Sequence, residues 1–321
     1  MASRLTMAFV MDPIEAIDIE KDTTFLLMWE AQERGHRVLY VDPADLAVDD
    51  RRAAARAFPV TLRREPGRHV ERGPARSLHL DDDVDLAWQR KDPPVDAAYV
   101  TATQILGLCR RTVVLNRPAG ILAHNEKLFA LEFPELMAET MVTRRVPELV
   151  DFMAKVGGEM IVKPLDGKGG EGIFHVANGD RNLFSILEIA TDFGRRWTMA
   201  QRYLPAVREG DKRILLVDGE PLGALLRVPA EGETRSNLHV GGEPRRAPLD
   251  AADRRILDAL APALRREGLF FVGIDVIGGR LTEINVTSPT GIQEINALEG
   301  SRLEARVLDA AEGLAAAPRQ P

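Results

Sequence analysis

Residues 270–277 read F-F-V-G-I-D-V-I, and residues 281–295 read L-T-E-I-N-V-T-S-P-T-G-I-Q-E-I, with G-G-R between them. Both flanks look like strands, rich in Val, Ile and Phe around a glycine turn. Yet Glu283 and Asn285 sit two residues apart in the second strand and therefore share one face. Asp275 sits in the middle of the first. If Gly278, Gly279 and Arg280 form a three-residue loop, Asp275 lies directly opposite Glu283, and Asn285 is one step along the same face. Three oxygen-bearing groups on an apolar hairpin repel one another and need partners. A hard cation such as Mg²⁺ would supply one, because it takes oxygen ligands from one or two carboxylates together with phosphate oxygens. A solvated sheet face would also accommodate them. Spacing alone leaves both readings open.

Working upstream, residues 159–177 read E-M-I-V-K-P, then the loop L-D-G-K-G-G-E-G, then I-F-H-V-A. Gly167, Gly169 and Gly172 satisfy G-x-G-x-x-G, with Gly170 between them. A dinucleotide fingerprint needs a helix after the glycines. Here the continuation is β-patterned. Strand, glycine loop and strand is the context of a flap folding over phosphates, or of a hairpin turn with no ligand. The loop is not a Walker A motif, since no Gly-Lys-Ser/Thr follows. Lys163 precedes it inside an apolar strand, where a bare ammonium is costly to bury. A nucleotide phosphate would be a fitting partner. Lys127, in H-N-E-K-L-F, is a second phosphate candidate, although a surface helix lysine is the ordinary reading. Pro164 marks a strand end or edge.

Residues 212–228 form a hairpin pattern with its turn at D-G-E-P, which places Arg213 and Arg227 on paired strands. Fixed guanidinium groups suit developing negative charge. Arg235 follows, in a polar, glycine-containing stretch with the composition of a mobile loop. The six histidines show no zinc spacing, and no G-x-S-x-G elbow occurs.

The N-terminal third has a different rhythm. Residues 5–11 read as a buried strand, 23–34 as a helix capped by Gly35, and H-R-V-L-Y-V-D as the next strand. This β-α-β opening predicts a parallel sheet. Residues 63–83 read as loop or edge hairpin, 84–90 as a strand stopped by Pro93 and Pro94, 97–108 as a helix and 112–116 as a strand. Helices are expected over about 250–266 and 302–315. Three units follow: an α/β unit over 1–124, and two α+β units over 125–200 and 201–317.

The bulk numbers narrow the class. The chain has 321 residues, 45% hydrophobic and 28% charged, with a net charge of −7. That argues against a generally basic nucleic-acid binder. The single cysteine, Cys109, excludes an internal disulfide and fits a reducing cytoplasm. No apolar window is long enough to span a membrane, and the N-terminal apolar run is too short for a signal peptide.

Taken in order, V-M-D-P-I, R-K-D-P-P, N-E-K-L, K-P-L-D-G-K-G-G-E-G-I-F, G-D-K-R, G-E-T-R-S-N and L-T-E-I-N-V-T-S-P-T-G-I resemble the prokaryotic glutathione synthetases almost end to end. The resemblance implies an ATP-grasp fold with an N-terminal Rossmann-like domain. It implies ATP-dependent ligation of γ-glutamylcysteine to glycine through an acylphosphate, giving glutathione, ADP and phosphate. By motif position, Asp275, Glu283 and Asn285 match the family's Mg²⁺ ligands, with Mn²⁺ able to substitute. Lys127, Lys163 and Gly167 to Gly172 match its ATP-phosphate contacts. Gln201, Tyr203 and Leu204 match the hinge beside the adenine, and Asp211 joins the nucleotide set. Arg213 and Arg227 match arginines at the transferring phosphoryl group. Arg90, Arg235, Ser288, Thr290 and Gly291 are the candidates for substrate contact, and 229–245 for a lid. The family tends to form homo-tetramers. Two other readings keep part of this: a ligase of the same superfamily with a different acceptor, and a nucleotide-binding module without catalysis.

Overall fold

The computed structural model describes residues 4–167, 169–230 and 241–317. Three sheets follow one another along the chain. The first uses β1 (Thr6–Val10), β2 (Arg37–Val41), β3 (Leu46–Asp49), β4 (Arg52–Leu62), β5 (Val70–Arg72), β6 (Arg76–His79), β7 (Leu86–Gln89) and β8 (Val113–Leu115). Its helices are α1 (Thr23–Glu33), α2 (Leu80–Asp83), α3 (Ala97–Leu106) and α4 (Pro118–Ala123). The spatial order is β3-β4-β2-β1-β7-β8, with β5 and β6 beside β4. The expected parallel pairing holds for β1 with β2 and β7, and for β7 with β8. The sheet is nonetheless mixed, because β4 runs antiparallel to β2. That strand, R-A-A-A-R-A-F-P-V-T-L, carries its period-two burial on Ala53, Ala55 and Ala57. Alanine is a poor strand former and Pro59 interrupts the run, so the pattern reads weakly in sequence. The stretch expected as loop or edge hairpin contains β5 and β6, both at the margin of this sheet.

The second sheet contains β9 (Thr140–Thr143), β10 (Glu159–Pro164), β11 (Phe174–Ala177) and β12 (Thr198–Arg202), antiparallel in the order β11-β10-β12-β9. Helices α5 (Val146–Lys155) and α6 (Leu183–Ala190) cover one face, where Met160, Val162 and Ala200 meet Leu149, Phe152 and Leu187. Strand alternation sends Ile161 and Lys163 to the opposite face.

The third sheet has the order β15-β14-β13-β16-β17, built from β13 (Asp211–Val217), β14 (Glu220–Val228), β15 (Glu243–Arg246), β16 (Phe271–Ile277) and β17 (Arg280–Asn285). Helix α7 (Ala251–Glu267) begins at an Asp250–Asp253 capping box and ends at left-handed Gly268. Its Ile256, Leu260 and Leu264 pack on Ile214, Leu216, Ile274 and Ile284. The other face carries Leu215 and Phe271 into a core shared with α1 and β1, and with α8 (Ile292–Glu299) and α9 (Leu303–Ala316). The last helix thus returns to the first: Arg34 of α1 meets Asp309 at 2.7 Å and Glu312 at 2.8 Å.

The β16–β17 turn corrects the expected loop. It has two residues, Gly278 and Gly279, both with positive φ (55° and 72°), and Arg280 belongs to the strand. A two-residue turn with left-handed geometry at both positions suits the twist of a hairpin. By itself this register would shift Glu283 off Asp275. A bulge at Thr282 restores it, so Asp275 does pair with Glu283. Leu281 and Ile284, three residues apart, consequently both face α7.

Asn116, after β8, fastens the first sheet to the third. Its Nδ2 donates to Phe271 O at 2.9 Å and Val286 O at 2.7 Å, and its Oδ1 accepts from Phe271 N at 2.7 Å. Alanine here leaves three buried backbone groups unpaired. Chemical denaturation of Asn116→Ala should show a loss on the order of 3 kcal/mol; a change under ~0.5 kcal/mol would mean that water replaces the amide without loss.

Candidate functional site

The second and third sheets face each other across a cavity of about 590 Å³. From the second sheet, Ile161, Lys163 and Gln201 reach it, with Tyr203 and Leu204 just beyond β12. Asp211, Arg213, Arg227 and Asp275 come from the third sheet, and Glu283 and Asn285 from its edge strand. Lys127, Gly167, Gly169 and Gly170 close one side, while Ser288, Thr290 and Gly291 form the rim before α8. The fold therefore gathers residues more than 160 positions apart, and most of the sequence candidates share this one space.

Its centre is a charge network. Arg213 grips Asp275 through two hydrogen bonds, Nε–Oδ1 at 2.5 Å and Nη2–Oδ2 at 2.8 Å. Arg227 reaches the same Oδ1 at 3.0 Å and Asp211 Oδ2 at 2.5 Å. Strand pairing sets this up directly: Arg213 is opposite Asp275, and Asp211 is opposite Arg227. Burial pushes the Asp275 carboxyl upward, but the two guanidinium charges overcome that and hold it well below the usual range. The ionised form is thereby favoured.

A second network lies beside it. Lys127 Nζ bridges Glu283 Oε1 at 2.9 Å and Gly167 O at 3.0 Å. Burial opposes the Lys127 charge, and Glu283 with neighbouring carboxylates more than restores it. Lys163 is the less favoured cation. Its Nζ donates to Thr282 O at 3.2 Å across the cavity, and burial lowers its pKa to about 8.

The glycine loop joins β10 to β11 as the β-patterned flanks predict. Gly169, Gly170 and Gly172 all have positive φ. A Cβ at Gly167 would lie 2.7 Å from Pro164 Cγ, so the loop needs that glycine for space rather than for dihedral freedom. Gly172 does not line the cavity; it packs against Pro164. Lys168 lies outside the described residues, as do Arg235 and most of the expected lid; the end of that stretch forms β15, paired with β14.

Arg90, one of the expected substrate contacts, is not among the residues lining the cavity. It is buried behind the cavity wall, with Nε on Thr24 Oγ1 and Nη2 on Pro289 O, both at 3.0 Å, and its guanidinium over the Phe271 ring. Its donors hold the rim rather than face the cavity. Ser288 is held as well, by Asp92 Oδ1 at 2.6 Å. Gly291 has φ +127°, and a Cβ there would sit 3.1 Å from Leu225. Gly291→Ala should therefore cost ~1–3 kcal/mol by thermal or chemical unfolding, whatever its role toward substrate; an unchanged midpoint would show that the rim relaxes freely. Among the cavity residues that carried no signal of their own in sequence are Lys21, Asp92, Glu126 and Glu294. Asp92 and Glu126 lie inside R-K-D-P-P and N-E-K-L, but only their basic neighbours carried a recognisable chemistry.

Asp275, Glu283 and Asn285 form a hard-oxygen donor set suited to a divalent cation that shares its coordination with phosphate and water. Asn285 directs Nδ2 to Gly273 O and Asp275 Oδ2, at 3.2 and 3.4 Å, so its amide oxygen is the atom it could offer a cation. Among the described residues, no cluster of three or more His, Cys, Asp or Glu side chains forms a self-sufficient metal cage. The arrangement fits a cation brought together with a nucleotide.

Comparison with known proteins agrees with this geometry. Residues 5–121 match the N-terminal domain of prokaryotic glutathione synthetase, and residues 126–300 match its ATP-grasp domain. The glutathione synthetase of Gloeobacter violaceus is 47% identical over 95% of this chain and 96% of its own length. That of Prochlorococcus marinus is 49% identical over 94% and 96%. Among solved structures, D-cycloserine synthetase DcsG superposes with a TM-score of 0.67 at 15% identity, over 96% of this chain and 98% of that one. A RimK domain ATP-grasp protein from Sphaerobacter thermophilus does so with 0.62 at 17%, over 95% and 98%. The structural matches speak to the fold alone, while the sequence matches run through both halves of the chain. With two sheets gripping a phosphate-suited cavity and identity near one half to these relatives, the chain belongs to the prokaryotic glutathione synthetase family and has the ATP-grasp fold.

Proposed function

We propose that this chain joins γ-glutamylcysteine to glycine, with cleavage of ATP to ADP and phosphate, producing glutathione. The observation that carries the reading is the cavity between the second and third sheets, where Lys127, Lys163, Arg213 and Arg227 converge on an oxygen-rich edge. Adenine would lie beside Gln201, Tyr203 and Leu204, and the phosphates would run toward Lys127 and Lys163. Mg²⁺, or Mn²⁺ in its place, held by Asp275, Glu283 and Asn285, would supply positive charge to the transferring phosphates.

The chemistry needs activation of a poor acyl donor. The cysteinyl carboxylate oxygen attacks the terminal phosphorus, its bond to ADP breaks, and an acylphosphate forms. Glycine's neutral amine then attacks the acyl carbon and phosphate departs. Arg213 and Arg227 are fixed by Asp275 and Asp211 before any substrate arrives, so little reorganisation is needed when negative charge develops. The glycine loop would fold over the phosphates, and the 229–245 stretch, most of it outside the described residues, would keep out water that would otherwise hydrolyse the acylphosphate.

In this proposal the 1–124 unit shapes the substrate side, 125–200 carries the glycine flap, and 201–317 carries the metal-facing strands. The protein would work as a cytoplasmic homo-tetramer without nucleic acid or membrane. The acidic balance speaks against nucleic acid, and among the described residues no helix is long and apolar enough to cross a membrane. Phosphate release from ATP and Mg²⁺ tests the central claim. Release that requires γ-glutamylcysteine and glycine together, with equimolar glutathione, is expected; release supported by another acid and amine instead would overturn the substrate assignment and keep the fold.

A further inference from the structure

β17 is an edge strand of the third sheet. Its outward backbone donors, two residues apart, face no further strand and must find acceptors elsewhere. One residue supplies both. Ile284 N donates to the backbone oxygen of Glu126 at 2.9 Å, and Val286 N donates to Glu126 Oε1 at 2.9 Å. The same carboxylate oxygen accepts Thr287 N at 3.0 Å and Thr287 Oγ1 at 2.8 Å. Glu126 therefore substitutes for a missing neighbour strand at the point where the chain leaves the sheet.

The residue between the two anchored amides is Asn285. Glu126 thus restrains the backbone at the residue before Asn285 and at the residue after it, while the Asn285 side chain is directed toward Gly273 and Asp275. The neighbours of Glu126 hold the other parts of the cavity: Asn125 Nδ2 donates to Leu165 O at 3.1 Å, and Lys127 bridges Glu283 and Gly167. The tripeptide 125–127 thereby links the root of the glycine loop to the strand bearing Glu283 and Asn285. A neutral capping residue could satisfy two amides. One Glu126 oxygen instead accepts three donors from a single segment, although burial and the nearby Glu283 push the carboxyl upward, so the anchor rests on geometry rather than on charge.

We propose that Glu126 is a positioning residue of the ligase, which acts through the backbone on both sides of Asn285 to hold that amide, and the Thr287–Ser288 segment after it, in cation-binding geometry. The inference rests on the reading of Asn285 as a cation ligand. Partners behind metal ligands typically contribute ~10–100-fold in affinity or activity. The test measures Mn²⁺ binding by electron paramagnetic resonance, with a non-hydrolysable ATP analogue present, on the full-length protein and on Glu126→Ala, Glu126→Gln and Asn285→Ala. Glu126→Ala should weaken Mn²⁺ ~10-fold or more, and Glu126→Gln, which keeps one acceptor oxygen, should recover most of it. In turnover, kcat should fall together with the apparent Mn²⁺ affinity while KM for γ-glutamylcysteine moves little. If Glu126→Ala is poorly folded, Glu126→Asp provides the shorter carboxylate and an intermediate Mn²⁺ loss is expected. Wild-type Mn²⁺ affinity in the Glu126 variants, with Asn285→Ala impaired, would overturn the positioning role and leave Glu126 as a strand cap. Wild-type affinity in Asn285→Ala would remove the ligand reading itself, and the proposal with it.

Discussion

Asp275→Ala is expected to reduce kcat/KM by on the order of 10³ and to destabilise the protein by roughly 3–5 kcal/mol, a large share of the stability of an ordinary domain. The two effects have different origins. For stability, Asp275 is the shared counter-ion of Arg213 and Arg227, and all three are almost completely buried. Removing it leaves Arg213 with only the Thr290 carbonyl, at 3.3 Å, among its described polar partners. An uncompensated buried guanidinium is among the costlier defects a core can carry. For activity, under the proposed function, the loss would remove a cation ligand and let both arginines drift from the reacting phosphate. Asp275→Asn separates the contributions. It keeps the shape and one acceptor, so it should recover part of the stability in chemical denaturation while turnover stays close to that of the alanine variant. Parallel recovery of both would indicate that Asp275 serves only to pack the arginines.

This core was readable in sequence because its signals are local. Two Val/Ile-rich runs flank a glycine pair, and Asp275, Glu283 and Asn285 are polar exceptions at fixed spacing within them. The pairing of Asp275 with Glu283 emerged as expected even though the turn differs: the loop is one residue shorter, and the bulge at Thr282 replaces that residue. Nothing about threonine in a β-run announces a bulge, which is decided by whether Leu281 and Ile284 can both reach α7. Long-range partnership was the part that could not be read. Arg90, for example, gives Nη2 to a carbonyl 199 positions away, which no local signal announces. Glu126 carried no signal at all, since its three donors lie 160 positions downstream or more. Strand β4 was missed for a different reason: alanines carry its buried face, and their small side chains leave the hydrophobic period faint.

Lys163→Met should make a more stable protein and a far poorer enzyme. The Lys163 ammonium is buried and, among the described residues, donates one hydrogen bond, to the Thr282 carbonyl. Burial outweighs the attraction of Glu283, Asp275 and Asp211, and lowers its pKa to about 8. A lysine whose folded pKa lies below its unfolded value of about 10.4 disfavours folding. That penalty is fully present below pH ~8 and disappears as pH rises past ~10.4. Methionine has similar length and no charge to desolvate, so Lys163→Met should gain on the order of 1–3 kcal/mol at pH 7. The gain should shrink between pH ~8 and ~10, as the wild type sheds its proton and the variant does not. Phosphate oxygens would repay the penalty in the wild type, so the nucleotide should raise the wild-type melting temperature more than that of the variant. Turnover should fall ~10²–10³-fold, the usual loss when one fixed donor to developing charge is removed. Thermal melts at pH 7 and pH 10, with and without ATP analogue, provide the check. A variant less stable than wild type at pH 7 would show that the three carboxylates outweigh burial, and that Lys163 is part of the fold's own charge balance. A variant that is more stable, inactive and insensitive to nucleotide would mean that the cavity keeps a costly charge in place for a ligand that arrives later.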